Sequence, residues 1–204
     1  MAVTVYGRSA QGEGHLLRER ILQAAVARMS DGQSVEEISV RHIAADVGKT
    51  VPALYQHFAS KTDLLVAAAT QALDDMAIDV GLELSDETDL DTRLRRRAHA
   101  YVDFAVAHPV PYELLFMTPT SRPRGRDSLQ IMMSSVGFNA LLEDLDAAQT
   151  AGQMVPSDIQ SVALILWTAL HGVASLLIAH PDLDWPPDLL DDVLDQHALG
   201  IAPR

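Results

Sequence analysis

The sequence predicts an all-α chain, and three observations carry that prediction. Apolar residues recur at the helical spacing i, i+3, i+4, i+7 along nearly the whole length. No run of alternating β-branched residues is bounded by turn signals. The periodic stretches are separated by short breaks such as "SDG", "HPVP" and "PDLDWPP", whose Gly and Pro punctuate helices. About nine helices are expected.

The first carries Leu17, Ile21 and Ala25 beside Leu22, Val26 and Met29, and ends near "SDG". The second follows from Val40, Ile43, Ala44 and Val47, with Ser39 as the expected N-cap. "SVEE" at Ser34 also fits a capping box, but the apolar period begins later. A very short third helix is expected from about Val51 to His57, and a longer fourth from Lys61 to about Gly81. After "SDETD", a fifth covers roughly Leu90 to Ala107, and Pro111 suits the first turn of a short sixth. "TPTSRPRGRDS" is expected to be a mobile loop. Two long helices follow, about Ser128 to Thr150 and Ser157 to Ala179. The last runs from Pro187 to about Leu199, where Gly200 should stop it.

Apolar residues are 48% of the 204, enough for a substantial core. With no Cys, a disulfide scaffold and a Cys-based zinc site are excluded. The start lacks a basic cluster followed by an apolar run, so no secretory signal is expected and the chain reads as cytoplasmic. The net charge of −13 argues at first against nucleic acid. Its distribution changes that: through Lys61 there are seven cations and six anions, and the remainder holds eight and 22. A near-neutral head on an acidic body suggests separate jobs. From Ile159 to Ala179 no residue is charged, which is the length of a membrane span. The flanks are Asp158 and Asp182 with no nearby cation, and His171 sits mid-segment, so a buried core or subunit-interface helix is preferred.

The stretch "VRHIAADVGKTVPALYQHFASKTDLL" carries the functional reading. Ala44 allows a second helix to approach closely, and Gly48 can take the left-handed conformation of a tight helix-to-helix turn. Thr50 can cap the next helix, Pro52 sits in its first turn, and Leu54 and Phe58 bury one face. Val51, Ala53, Tyr55, Gln56 and His57 are left outward. So short a helix is barely stable alone. Held by its neighbours, it presents that side to a major groove.

"IAADVGKTVPALYQHFASKTDLL" resembles the helix-turn-helix signature of the TetR family of transcriptional regulators, through Ile43-Ala44, Gly48, Leu54-Tyr55, His57-Phe58, Lys61 and Leu64. "WTALHGVASLL" resembles the Trp-xxx-His-Gly signature of one C-terminal subclass, as does "HPVPYELLFMTP" the segment before that subclass's pocket. The resemblance implies an N-terminal three-helix DNA-binding domain over 12–62 and a helical ligand-binding and dimerisation domain over 63–204. Lys49 departs from the pattern, in a slot that is usually apolar. Its stem can cover the core while its ammonium reaches a phosphate. Ala53 replaces a frequent Thr. Carried over, Arg41 is a groove or phosphate contact. Thr50, Tyr55, His57 and Lys61 are phosphate anchors; Val51, Pro52, Ala53 and Gln56 meet bases or thymine methyls. Arg8 and its neighbours would form a flexible arm.

Tyr101, Phe104, Phe116, Met132, Met133, Phe138, Trp167 and His171 are the expected wall of an apolar effector pocket, though each except His171 reads equally as core. His171 is also explained by a buried hydrogen bond. His99 and Asp103 have ligand spacing, but two ligands make no metal site. "GEGHLL" lacks the third glycine and preceding strand of a dinucleotide loop, and no Walker A, nucleophile-elbow or HExxH pattern occurs. The expectation is therefore a homodimeric, ligand-responsive regulator, with double-stranded operator DNA and a small apolar effector as partners, no cofactor and no membrane. The rivals are an all-α enzyme or binding protein using the same pocket, which lacks a catalytic constellation, and a DNA-architectural protein, which the acidic body disfavours.

Overall fold

The computed structural model describes residues 8–31, 33–87, 89–117 and 128–201, with side chains for all of these but 8–13, 128–129 and 198–201. Among the described residues there are ten α-helices and one π-helical turn, and no strand. In chain order the helices are α1 (Arg8–Ser30), α2 (Val40–Asp46), α3 (Val51–Tyr55), α4 (Lys61–Glu83), α5 (Leu90–Ala107), α6 (Pro109–Tyr112), α7 (Ser128–Ser134), α8 (Val136–Thr150), α9 (Ile159–Ala179) and α10 (Leu189–Ile201). The π turn, Glu113–Met117, follows α6. The all-α expectation holds. The count is one higher because the helix predicted over Ser128–Thr150 breaks at Ser135. There the Ser135 hydroxyl donates to the Met132 carbonyl at 2.7 Å and accepts from the Phe138 amide at 3.2 Å, ending one helix and capping the next. Gly200 does not stop α10, which runs on to Ile201. The "TPTSRPRGRDS" loop lies outside the described residues apart from its final Ser128, which opens α7.

The chain divides into two compact units. One comprises residues 1–72 with 110–115, the other 73–109 with 116–204. The first unit's core is built from Ile21, Leu22, Ala25 and Met29 of α1, Ile43 and Ala44 of α2, Leu54 of α3, and Leu64 and Leu65 of α4, all nearly inaccessible. Full burial of such side chains stabilises by about 1.5–3 kcal/mol each, which is why two very short helices persist here. Ser34 and Glu37 do form the reciprocal pair of a capping box. The Ser34 amide donates to Glu37 Oε2 at 3.0 Å and the Glu37 amide to Ser34 Oγ at 3.4 Å. The pair closes a turn rather than opening a helix, and Ser39 takes the N-cap of α2 with its hydroxyl making no cap bond.

The second unit packs α5, α8 and α9 on one another, with α7 against α8 and α10 against α5 and α9. Leu90, Met132, Phe138, Leu145, Ala163 and Leu166 form its core. Asp89 caps α5 by accepting from the Thr92 amide at 2.9 Å. Arg95 of α5 binds Asp191 of α10 at 3.0 Å and Asp195 beside it, while His99 Nε2 lies 3.2 Å from the same Asp191. His99 therefore pairs across to α10 rather than with Asp103, and no cluster of three metal-ligating side chains exists among the described residues. The His99 and Arg95 hydrogen bonds hold the Asp191 carboxyl below its ordinary range.

Candidate nucleic-acid interface and internal cavity

The turn between α2 and α3 is built as the sequence requires. Gly48 has φ +65°, the left-handed region that side chains with a Cβ avoid. Its amide donates to the Ala45 carbonyl at 3.0 Å and the Lys49 amide to Ala44 at 2.8 Å, the paired bonds of a Schellman motif that satisfies the orphan carbonyls of α2. A Cβ at Gly48 would meet no atom within 4 Å, so glycine serves the dihedral and not the space. Arg20 Nη2 donates to the Val47 carbonyl at 3.1 Å, and Arg28 grips Asp46 through two bonds of 2.7 and 2.8 Å. The end of α2 is thus tied to α1 twice.

With Leu54 and Phe58 buried, α3 turns Pro52, Tyr55 and Gln56 to solvent, Tyr55 at 47% exposure. Val51, Ala53 and His57 are half-buried. The His57 ring lies near α1, where a Cβ on Gly14 would stand 4.0 Å from its Cε1. Thr50 occupies the N-cap of α3, but its exposed hydroxyl makes no cap bond and is left for an outside acceptor. Arg41 and Lys49 are exposed and carry no intramolecular partner among the described residues. Lys61 differs: its Nζ donates to the Glu36 carbonyl at 3.1 Å, so a phosphate must compete for it. Arg8 heads α1, and its side chain lies outside those described.

The second unit contains a cavity of about 780 Å³ of empty space counted out to its mouth. Tyr101, Phe116, Met132, Phe138 and Trp167 line it. Phe104, Met133 and His171 are not among the lining residues. Phe104 is buried with its ring 5.1 Å from that of His108, and Met133 packs on the core cluster. His171 stacks on Trp167 at 5.1 Å and meets Phe116 edge-on at 5.8 Å, both of them lining residues. Its burial lowers its pKa, so it sits there as neutral imidazole.

Sequence reasoning missed the contribution of α4, through Leu73, Met76, Ala77 and Val80, and two polar lining residues, Arg97 and Ser135. Arg97 was legible: it lies three residues after Leu94 and four before Tyr101, on the face that both present to the cavity. Arg97 Nε donates to Asp144 Oδ2 at 2.6 Å, and Arg93 bonds the other oxygen of the same carboxylate at 2.9 and 2.5 Å. Asp144 is 6% exposed, and only these two guanidinium groups make its burial tolerable. Trp167 Nε1 is buried with no hydrogen-bond partner among the described residues.

Comparison with known proteins places this architecture. A family model described as bacterial regulatory proteins of the tetR family matches residues 21–68, and one described as a tetracyclin repressor-like C-terminal domain matches residues 94–199. The nucleoid occlusion factor SlmA of Salmonella typhi is 33% identical over 92 residues. That stretch is 45% of this chain and 46% of SlmA, so the chain spans less than half of that relative. A protein of unknown function from Rhodococcus sp. RHA1 has the same fold with a TM-score of 0.72 at 24% identity, over 92% of this chain and 96% of that one. The transcriptional regulator FadR of Bacillus subtilis, solved with stearoyl-CoA, gives 0.68 at 16% identity over 89% and 98%. A turn-bound helix facing solvent, a cavity inside the C-terminal helices and family models over both regions lead to one conclusion: the chain belongs to the TetR family of bacterial regulatory proteins, with a tetracyclin repressor-like C-terminal domain.

Proposed function

We propose that the protein is a homodimeric, cytoplasmic, ligand-responsive repressor that binds a palindromic operator through residues 12–62 and an effector through residues 63–204. Its C-terminal domain is read as the Trp-xxx-His-Gly type, on Trp167 and His171-Gly172. The observation that carries the reading is α3: five residues long, fixed from behind by Leu54 and the Gly48 turn, with Tyr55 and Gln56 outward and unpartnered Arg41 and Lys49 beside them. Such a helix has the size and polarity of a major-groove reader. Arg41, Lys49, Thr50, Tyr55, His57 and Lys61 are assigned to phosphates, and Val51, Pro52, Ala53 and Gln56 to base edges.

The second copy of the chain has a surface to bind. Only 22% of the long apolar window of α9 is buried within one chain. Its outward stripe runs Ile165, Thr168, Ala169, Gly172, Leu176, with Ile165 56% and Leu176 47% exposed and open space at Gly172. Small residues flanked by large apolar ones allow two such helices to cross closely about a two-fold axis. α10 packs beside α9 and completes a four-helix interface. Two recognition helices then read half-sites about one helical turn apart, or a multiple. The effector releases the operator by preferring the conformation in which those helices are misplaced; a ligand of equal affinity for both states shifts nothing.

The test is a gel shift at fixed salt, comparing a palindrome selected from a random duplex library with its scrambled sequence. Discrimination by about 4–10 kcal/mol is expected. Lys49→Ala should weaken both duplexes alike and reduce the salt slope by about one. Gln56→Ala should relax preference at particular base pairs. Equal affinity for palindrome and scramble would overturn the reading.

A further inference from the structure

We infer that the cavity takes a compact apolar monocarboxylate, with its carboxylate at Arg97 and an oxygen accepting from Trp167. The inference rests on the reading of this cavity as the effector site and names the chemical class that fits it.

The charge around the cavity is unbalanced. Asp144 faces two guanidinium groups, and Arg93 alone can neutralise it. Arg93 Nε and Nη2 both bond Asp144 Oδ1, and its Nη1 bonds the Leu84 and Glu87 carbonyls at 2.7 and 2.8 Å, so all three of its nitrogens are engaged. Arg97 gives only Nε to the carboxylate. Its two terminal nitrogens have no partner among the described residues, and the residue lines the cavity. Arg97 is therefore the surplus cation of the cluster, 13% exposed and backed by apolar helices. A half-buried positive charge with unspent N–H groups favours an anion, and a planar guanidinium matches a carboxylate in geometry.

The second observation is independent. Trp167 lines the same cavity, and its Nε1 is buried with no hydrogen-bond partner among the described residues. An unmet buried donor destabilises the protein, and a ligand oxygen that reaches it on a small shift of the ring removes that cost. Ser135 is not available: its hydroxyl is spent between Met132 and Phe138. Both lining groups with unpartnered N–H can only donate, since neither indole nitrogen nor guanidinium accepts. A cationic amine meets the Arg97 charge and is repelled. Tyr101 adds one phenolic group, and the rest of the wall, including Met76, Val80, Leu141 and Leu170, is apolar and asks for a hydrocarbon body.

The experiment titrates the full-length protein by calorimetry with three probes of one shape: 4-tert-butylbenzoate, 4-tert-butylbenzamide and 4-tert-butylbenzylamine. The benzoate should bind at least about tenfold tighter than the amide, and the amine should give no binding heat. Arg97→Met should erase the benzoate's advantage and leave amide binding in place. Trp167→Phe should weaken benzoate and amide together by several-fold. If Arg97→Met fails to fold, the wild-type series and Trp167→Phe still decide. Amide binding equal to benzoate in wild type would overturn the inference while leaving the cavity as a ligand site. Binding by none of the three would overturn it as well. Arg97-dependent benzoate binding that leaves operator affinity unchanged would uphold the carboxylate site and sink the regulatory reading instead.

Discussion

Gly48→Ala isolates one physical cause. At both Gly48 and Gly81 no atom lies within 4 Å of the position a Cβ would take, so neither substitution creates a clash. They differ in backbone: Gly48 has φ +65°, whereas Gly81 lies within α4. Alanine in the left-handed region costs about 1–2 kcal/mol. Alanine in a helix gains roughly 0.5–1 kcal/mol over glycine. At about 2–4 °C per kcal/mol for a chain of this size, Gly48→Ala should lower Tm by roughly 2–8 °C and Gly81→Ala should raise it by roughly 1–4 °C. Gly48→Asn should recover part of the loss, because Asn tolerates the left-handed region. Circular dichroism melts of the three variants at one protein concentration and pH give the answer. A Gly48→Ala protein melting at or above wild type would refute the argument that this turn depends on its dihedral.

Three further outcomes are expected. Asp144→Asn leaves Arg93 and Arg97 without a buried counter-ion and should cost about 3 kcal/mol in urea unfolding; a loss below about 1 kcal/mol would show that the pair is not mutually dependent. His171, whose pKa burial depresses below the ordinary 6.5, binds its proton more readily when unfolded. Its contribution is therefore complete above that ordinary value and is lost as pH falls through it, so wild type should lose more stability than His171→Gln between pH 7.5 and 5.5 by denaturant titration. Asp74 accepts the Val136 amide at 2.8 Å while desolvation raises its pKa, so the charge opposes folding as pH rises and the acceptor favours it. Asp74→Asn keeps the acceptor and should match or exceed wild-type stability at pH 7, whereas Asp74→Ala should cost about 1 kcal/mol.

How much was legible depended on whether the cause was local. The Gly48 turn, the short α3 and its buried Leu54 and Phe58 were readable because a dihedral requirement and an i, i+4 pair leave marks within a dozen residues. The break at Ser135 was hidden because apolar residues continue on both sides of it, and the hydroxyl that makes the break is one polar atom in that run. The Arg93–Asp144–Arg97 cluster joins positions 47 and 51 apart, and no periodicity reports such pairing. Of the expected pocket, the aromatic residues on the inner faces of α5, α8 and α9 were found. His171 stacks on the lining Trp167 without itself lining the cavity, because spacing along a helix gives the face and not the depth.

The division of the chain has a practical meaning for anyone cutting it. Residues 110–115 belong with 1–72, and among them Tyr112 and Leu115 are wholly buried and Leu114 nearly so. A truncation ending at Ala72 would lose three large apolar side chains supplied from elsewhere in the sequence. Chimeras that graft this head onto another body must therefore transplant both pieces, and a fragment library tiled along the gene will not contain it intact.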